Sequence, residues 1–166
     1  MHLAIRAVSV ALLLCGLGPF GAMAQQATLA FEGLRSGAGQ PVEITADVLS
    51  VDQKASTATF TGNVLIIQGE LRLSADEVLV DYLQGDKSKI DKLHANGHVL
   101  LATSSEAAEA ENAVYSLTTK QIEMTGNVLL TQKDSAITGQ KLIVDLTTGT
   151  GQMEGRVKTV LQPGGN

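Results

Sequence analysis

Residues 46–64 read ADVLSVDQKASTATFTGNV, and this stretch is the first of four related units in the chain. Each unit opens with two small or polar residues before an apolar run, and it closes with a glycine, a variable residue and a valine. The openings are at Ala46, Ala75, Ala110 and Gly139, and the closing glycines are Gly62, Gly97, Gly126 and Gly155. A pattern that returns at a fixed period indicates a repeat architecture.

The spacing of the four units is regular. The distance from opening to closing glycine is the same in units 1, 3 and 4, and each glycine precedes the next opening by one constant distance. The period of about 29 residues falls within the range that is typical of repeat proteins. Only unit 2 departs from it, with six extra residues, which we expect in the polar turn Gln84–Lys89.

Apolar residues alternate with other residues inside each unit, which is typical of β-strands. No proline occurs between Pro41 and Pro163, as an uninterrupted hydrogen-bonded sheet prefers. The sequence predicts an all-β fold of about sixteen short strands, four in each repeat, rolled into two facing antiparallel sheets. By parity, Leu49 and Val51 belong to the inward-facing set.

The glycine that closes each unit is expected at a corner between strands. Gly62-Asn63 and Gly126-Asn127 fit this role, because glycine accepts a positive φ at no steric cost and asparagine tolerates left-handed geometry. The repeated carboxylates Asp47, Asp76 and Glu111 are interpreted as structural groups of the repeat.

The N-terminus has the features of a secretory signal peptide, with Arg6, an apolar run from Ala7 to Leu17 and the sequence Ala22-Met23-Ala24. We expect cleavage after Ala24, so that residues 1–24 are a signal peptide, 25–40 a flexible lead-in, 41–163 the folded domain and 164–166 a tail. An uncleaved membrane anchor is the alternative. Lipidation at Cys15 is disfavoured, because Leu14 stands where a small residue is required.

Composition excludes several classes of function. The chain has 12 basic and 17 acidic side chains, and cleavage after Ala24 removes only one of these charges, Arg6, together with the single cysteine. Aromatic residues make up 3% of the whole chain and tryptophan is absent. A negative chain without stacking platforms is a poor nucleic-acid binder, so no nucleic-acid partner is expected. Disulfides and thiolate-bound metals are excluded in the mature chain.

Motifs for catalysis are sparse. His94 and His98 flank a turn near Asp91, which allows either a metal or acid–base site or simply two surface histidines; the second interpretation is favoured, because two imidazoles and one carboxylate form a weak constellation. No serine or threonine has a histidine in register for nucleophilic catalysis. We therefore expect no catalytic residue, no cofactor and no metal, and a protein that is not an enzyme.

Six segments together resemble the organic-solvent-tolerance (OstA-like) family of periplasmic lipopolysaccharide transport proteins. They are Pro41–Asp47, Thr59–Val64, Gln68-Gly69, Leu73–Val78, Met124–Val128 and Val157–Pro163. The resemblance implies an open, twisted β-jellyroll and a location in the periplasm. It also implies a bridge that carries lipopolysaccharide from the inner to the outer membrane, with membrane-anchored components of the transport machinery as partners.

Two sets of site residues follow. The lipid acyl chains are expected to contact apolar inward residues, because burial gains about 0.8 kcal/mol per methylene and basic side chains are few; the predicted groove is Val42, Ile44, Phe60, Ile66, Tyr115, Leu117, Met124 and Leu130. Unpaired strand edges at the two ends predict head-to-tail self-association; the predicted assembly edges are Val42, Glu43, Ile44, Val157, Thr159 and Val160. The alternatives are a β-repeat scaffold without ligand and with a closed dry core, a membrane-anchored relative of the same transport system, and a periplasmic enzyme.

Overall fold

The structure is a computed structural model that describes residues 28–31 and 39–161. Within these residues it contains strands and no helix, and hence no helix able to span a membrane. The eleven strands are β1 Thr28–Ala30, β2 Glu43–Thr45, β3 Val48–Asp52, β4 Thr57–Gln68, β5 Leu71–Leu83, β6 Asp86–Ala102, β7 Glu106–Ser116, β8 Gln121–Gln132, β9 Ser135–Asp145, β10 Thr150–Glu154 and β11 Lys158–Leu161. The predicted signal peptide, its cleavage site and the tail at 164–166 lie outside the described residues.

All eleven strands belong to one antiparallel sheet. Its path runs β1-β10-β9-β8-β7-β6-β5-β4-β2, with β3 also paired to β4 and β11 also paired to β9. The path has two ends and no closing pair, so the sheet is open. The predicted all-β, open antiparallel fold is therefore confirmed.

The expected division into about sixteen short strands needs correction. The six strands β4 to β9 are much longer than the others, and each continues through a corner. A shift in register marks the corner in every pair, as between Thr61 and Val64 in β4. The sequence does not reveal that these strands are continuous. A bulge interrupts the alternation of apolar and polar residues in the same way as a turn between two strands. Counted as halves, the six long strands and five short ones give seventeen segments.

The corners have the backbone that their sequence predicts. Gly62 and Gly126 have φ of 81° and 86°, and the asparagines that follow, Asn63 and Asn127, have φ of 46° and 47°. Gly97-His98 and Gly155-Arg156 repeat this pair of positive φ values. The corner interpretation of the repeated glycine is confirmed.

The repeated carboxylates contact these corners from the adjacent segment of the sheet, Asp76 from β5, Glu111 from β7 and Asp47 from the residues between β2 and β3. Asn63 Nδ2 donates a hydrogen bond to Asp47 Oδ2 (2.8 Å), and Asn127 Nδ2 donates one to Glu111 Oε1 (2.6 Å). At the second corner, His98 Nδ1 lies 2.7 Å from Asp76 Oδ2. Each carboxylate also lies over the glycine of its corner, where a Cβ would collide with it. Their structural role is thereby confirmed.

The corners fold the sheet into two facing layers. The first layer contains β3, β10 and β1, together with the first halves of β4, β6 and β8 and the second halves of β5, β7 and β9. The second layer contains β2, β11 and the other half of each long strand. Side chains from both layers fill the interior, including Ile122 and Leu142 of the first layer and Leu130 of the second, all at 0% exposure. The predicted inward residues Leu49 and Val51 are an exception, since both lie on the end strand β3 and are exposed.

The extra residues of unit 2 form the hairpin between β5 and β6, as predicted from the spacing of the repeats. Pairing there is irregular, with Tyr82 opposite Ile90 and Leu83 opposite Asp86. The hairpin is tied by local contacts, among them the Lys89–Asp86 ion pair (3.2 Å).

The flexible lead-in expected at 25–40 is wrong for residues 28–31. Thr28–Ala30 form β1, which pairs with β10, and Phe31 is only 2% exposed. Three residues are too short to show a strand period, and their partner lies at the far end of the sequence, so local pattern could not reveal this pairing.

Candidate binding groove and assembly edges

The predicted groove residues all belong to the space between the layers. Ile66, Tyr115, Met124 and Leu130 are buried there at 0–1% exposure. The other four are partly buried and pack against this core: Val42, Ile44, Phe60 and Leu117. The structure thus brings the eight residues to one apolar interior, while their contact with a ligand stays a prediction.

The interior of the described residues is filled by their own side chains, most of which are 0–2% exposed. A pocket beside Phe31, Leu101, Ala108 and Leu130 has a volume of about 10 Å³, no more than a single water molecule requires. An acyl chain therefore cannot enter unless the two layers move apart.

The two layers could separate on the side of the interior that lies opposite the corners. At the corners the backbone itself joins the two layers. On the opposite side the hairpins alternate between layers, with Gln68–Leu71 in the second and Ser116–Gln121 in the first, and no strand pairing of the described residues connects them. We call this open side the mouth.

A buried hydrogen bond crosses the mouth. Tyr115 Oη donates to Gln68 Oε1 at 2.6 Å, although β7 and β4 are not neighbours in the sheet. Gln68 Nε2 in turn donates to the Gln40 carbonyl (2.9 Å). Burial raises the pKa of the Tyr115 hydroxyl, and the bond to Gln68 offsets part of this increase. We call the Tyr115–Gln68 pair the clasp.

The role of the Gln68 side chain was not predicted from the sequence, where Gln68-Gly69 was noted only as a segment that resembles the family. A signal was present, because Gln68 and Gln132 both stand six residues after a corner glycine. Gln132 Nε2 donates to the Ala30 carbonyl (3.0 Å), just as Gln68 Nε2 donates to that of Gln40. In two of the four units, the glutamine six residues after the corner glycine thus donates a hydrogen bond to the main chain of the N-terminal part, at two places along the mouth.

The predicted assembly edges lie at opposite ends of the second layer. β2 carries Glu43 and Ile44 at one end, just after Val42, and β11 carries Thr159 and Val160 at the other, with Val157 just before it. Glu43, Val157, Thr159 and Val160 are exposed, while Val42 and Ile44 are partly covered. Whether these edges mediate assembly stays a prediction.

The first layer has end strands of its own, which the sequence analysis did not identify. β3 ends it on the N-terminal side, and β10, covered by β1, ends it on the C-terminal side. Apolar exposure is concentrated at the ends of the sheet, at 55% for Leu49, 64% for Val51, 50% for Val160 and 69% for Leu161. Large exposed apolar groups at unpaired edges are typical of surfaces that meet another sheet.

The two histidines contact different carboxylates. His94 Nε2 lies 3.0 Å from Asp81 Oδ2, and His98 lies at its corner beside Asp76. Asp91 instead accepts a hydrogen bond from Thr118 Oγ1 (3.0 Å). Among residues 28–31 and 39–161, no group of three histidine, cysteine or carboxylate side chains could hold a metal.

Comparisons with known proteins agree with this architecture. The sequence profile of the family described as LptA/(LptD N-terminal domain) LPS transport protein matches residues 43–150. A protein of Rhizobium meliloti (strain 1021), whose name assigns no function, is 32% identical over 125 residues, which are 69% of this chain and 67% of that protein. The lipopolysaccharide export system protein LptA of Escherichia coli (strain K12) is 40% identical over 50 residues, 30% of this chain and 27% of that protein.

A solved structure shares the fold. LptH of Pseudomonas aeruginosa, described as the LptA homologous periplasmic component of a lipopolysaccharide transport device, superposes with a TM-score of 0.67 at 17% identity. The match covers 79% of this chain and 99% of that chain. The family is one of transport proteins, in agreement with the expected absence of enzymatic activity. Since its profile covers more than half of the sequence, the chain belongs to the LptA/(LptD N-terminal domain) family of lipopolysaccharide transport proteins.

Proposed function

We propose that this protein is a periplasmic bridge that binds lipopolysaccharide and passes it from the inner to the outer membrane. Membership of a lipopolysaccharide transport family supports the substrate class. The likeness to LptH, a periplasmic component by its description, supports the compartment. Membrane-anchored components of the same machinery at each membrane are the proposed partners.

The observation that carries the proposal is the continuous apolar interior behind the mouth. Inward side chains such as Ile66, Met124 and Leu130 line both layers, and no charged residue of the described part of the chain is buried as a whole. Acyl chains that replace water with this lining gain about 0.8 kcal/mol per methylene. Phosphate groups of the ligand find few basic partners, so the lipid moiety is the part that the protein holds.

Entry of acyl chains requires the clasp to open. The Tyr115–Gln68 bond crosses the mouth, and separation of the layers would break it. A net contribution of about 1 kcal/mol is typical of such a bond, a small cost beside the gain from burying an acyl chain. The clasp would therefore keep the empty protein closed without preventing uptake.

Photo-crosslinking tests this function. A photoreactive amino acid at Leu117 or Met124 is expected to give an adduct with lipopolysaccharide, whereas the same group at Glu77 or Lys141 is not. Glu77 is exposed, and Lys141 pairs with Glu123 (2.9 Å), so both serve as matched surface controls. Adducts from Glu77 and Lys141, with none from Leu117 and Met124, would contradict binding in the interior.

A ligand-free scaffold is the second candidate, and the closed interior of the described residues favours it. Extraction of the purified protein with organic solvent separates the two functions. The bridge predicts lipopolysaccharide in the extract, in amounts that fall when Met124→Asp places a charge in the interior. An extract without lipid, from protein made in cells that contain lipopolysaccharide, would favour the scaffold.

Head-to-tail assembly is the other part of the proposal, and the repeat supplies its register. Thr159 occupies in unit 4 the position of Ile66 in unit 1, four residues after the corner glycine. Ile66 pairs with Ile44 on one side and Leu73 on the other, whereas Thr159 has Ile137 as its one partner among the described residues. The free side of β11 would therefore receive β2 of a second copy, with Ile44 opposite Thr159 and Glu43 opposite Val160.

A further inference from the structure

The first layer has a strand position beyond β10 that the repeat assigns to a fifth unit. β10 is equivalent to the first half of β4, and Gly151 occupies the place of Ala58, four residues before the corner glycine. Ala58 has a partner on each side, Val51 of β3 and Val80 of β5. Val51 and Val80 are equivalent residues of successive units, so a continued sheet would place β3 of a second copy beside β10.

That position is occupied by the chain's own N-terminus. Leu29 pairs with Gly151 and Ala30 with Thr150, and the Phe31 amide donates to the Gly149 carbonyl (2.6 Å). In a continued sheet, Val51 of a second copy would lie where Leu29 lies. Residues 28–31 therefore form a strand that stands in place of an incoming one.

The side chain of Phe31 completes the interior at this end. The inward residue four positions before the corner glycine is Ala58, Leu93 or Ile122 in units 1 to 3, and Gly151 in unit 4. The Phe31 ring lies so close to Gly151 that a Cβ there would collide with its Cε2 atom. On its other side the ring lines a small pocket together with Leu101, Ala108 and Leu130 of the second layer. An aromatic ring from the N-terminus thus fills the volume that the glycine leaves empty.

We propose that residues 28–31 are an intramolecular cap, which occupies the docking site for β3 of a second copy and must leave before the first layers of two copies can join. This inference rests on the head-to-tail assembly proposed above. It divides the junction into two parts, since β11 is open to a second copy and β10 is covered. With the cap in place, only the second layers can pair, and Phe31 closes the interior that the two copies would share.

The strand that would displace the cap is suited to do so. β3 is exposed along its length, and its inward residues Leu49 and Val51 are uncovered in the single chain. β3 offers five residues to β10, against three in β1. Exchange of one strand for the other therefore extends the pairing and buries two apolar side chains that are otherwise in water.

Binding of a synthetic peptide with the sequence of residues 46–53 tests the cap directly. Two variants are expected to have opposite effects on the stability of the cap. Phe31→Ala removes the ring that anchors it. Ala30→Cys with Thr150→Cys permits a disulfide that locks it, because the flanking Phe31–Gly149 hydrogen bond makes Ala30 and Thr150 a non-hydrogen-bonded pair with close side chains. The only native cysteine, Cys15, is removed with the predicted signal peptide.

We expect the peptide to bind Phe31→Ala at least tenfold more tightly than the unmodified chain, and the oxidised double-cysteine variant at least tenfold more weakly than its reduced form. A peptide with Leu49→Asp and Val51→Asp is the negative control, and circular dichroism confirms that each variant is folded. Equal affinity for all forms, or no binding to folded Phe31→Ala, would overturn the cap. The assay contains neither lipopolysaccharide nor an intact second copy, so its result is independent of lipid binding.

Discussion

The Tyr115 hydroxyl and the Gln68 side chain meet at 2.6 Å across the interior, although their strands are separated in the sheet by β5 and β6. Both residues are buried, so bulk solvent cannot readily replace either partner. This contact links the two layers at the mouth, and two measurable consequences follow from it.

Loss of the hydroxyl should destabilise the fold. Tyr115→Phe removes the donor and leaves the Gln68 oxygen buried without it, at a cost of about 1–3 kcal/mol. Gln68→Leu combined with Tyr115→Phe should cost less than the sum of the single changes, because the second substitution removes the unsatisfied group. Urea denaturation of the four proteins measures this coupling. Additive free energies of unfolding would show that the contact does not link the layers.

The same hydroxyl should affect stability in alkaline solution. Its pKa is raised by burial above the ordinary value of 10.0. The folded state therefore favours the neutral form, and this contribution is complete below about pH 10 and is lost as pH rises through the raised pKa. Wild type should lose more stability than Tyr115→Phe as the pH rises above about 10. Parallel profiles for wild type and Tyr115→Phe would contradict this expectation.

A side chain at a corner glycine should be poorly tolerated. In Gly126→Val the residue keeps a φ of 86°, and its Cβ lies 2.6 Å from Glu111 Oε2. Left-handed geometry alone costs about 1–3 kcal/mol for a residue with a side chain, so we expect a fall in Tm of about 5 °C or more. Gly39→Ala is the control, because its Cβ would meet no atom within 4 Å. Similar thermal melting of both variants would remove the corner role.

Charge at the β11 edge should control self-association. In the proposed head-to-tail junction, Val160 would lie opposite Glu43 of a second copy, and Val160 is exposed in the single chain. Val160→Glu should weaken association because like charges directly opposite are destabilising, and Val160→Lys should strengthen it. Light scattering over a hundredfold range of concentration measures the effect.

The combination of Val160→Glu with Glu43→Lys provides a test of register. It restores opposite charges at the proposed junction and should recover association, while Glu43→Lys with Val160→Lys should not. If all of these variants gave one constant mass, β11 and β2 would not form the junction.

The sequence predicted those parts of the fold that depend on neighbouring residues. Corner backbone at Gly62 and Gly126 follows from residue chemistry, and the place of the six extra residues follows from spacing. The continuity of β4 to β9 could not be predicted, since a bulge and a turn interrupt alternation alike. Phe31 was missed for another reason, because its burial depends on the absence of a side chain at Gly151, which is far away in the sequence.

The groove prediction had the same limits. Parity correctly selected Ile66, Tyr115, Met124 and Leu130 as interior, because period two assigns every second residue to one face. Parity failed for Leu49 and Val51, whose exposure depends on β3 being the last strand of its layer. The clasp was also hidden, because a polar side chain at the end of a strand is equally typical of a turn.

The pairing of β1 with β10 has a consequence for the order in which the protein folds. Leu29 and Gly151 lie near opposite ends of the sequence, whereas every other strand pairing of the described residues joins near neighbours along the chain, the most distant being Arg72 with Ala102. Closing a long loop costs more entropy than closing a short one, and long-range pairs form late. Each hairpin can form as soon as its own two strands are available, but β1 must wait for β10. The most N-terminal of the described strands is thus the last to find its partner, and every newly made molecule passes through a period in which the edge of β10 is bare.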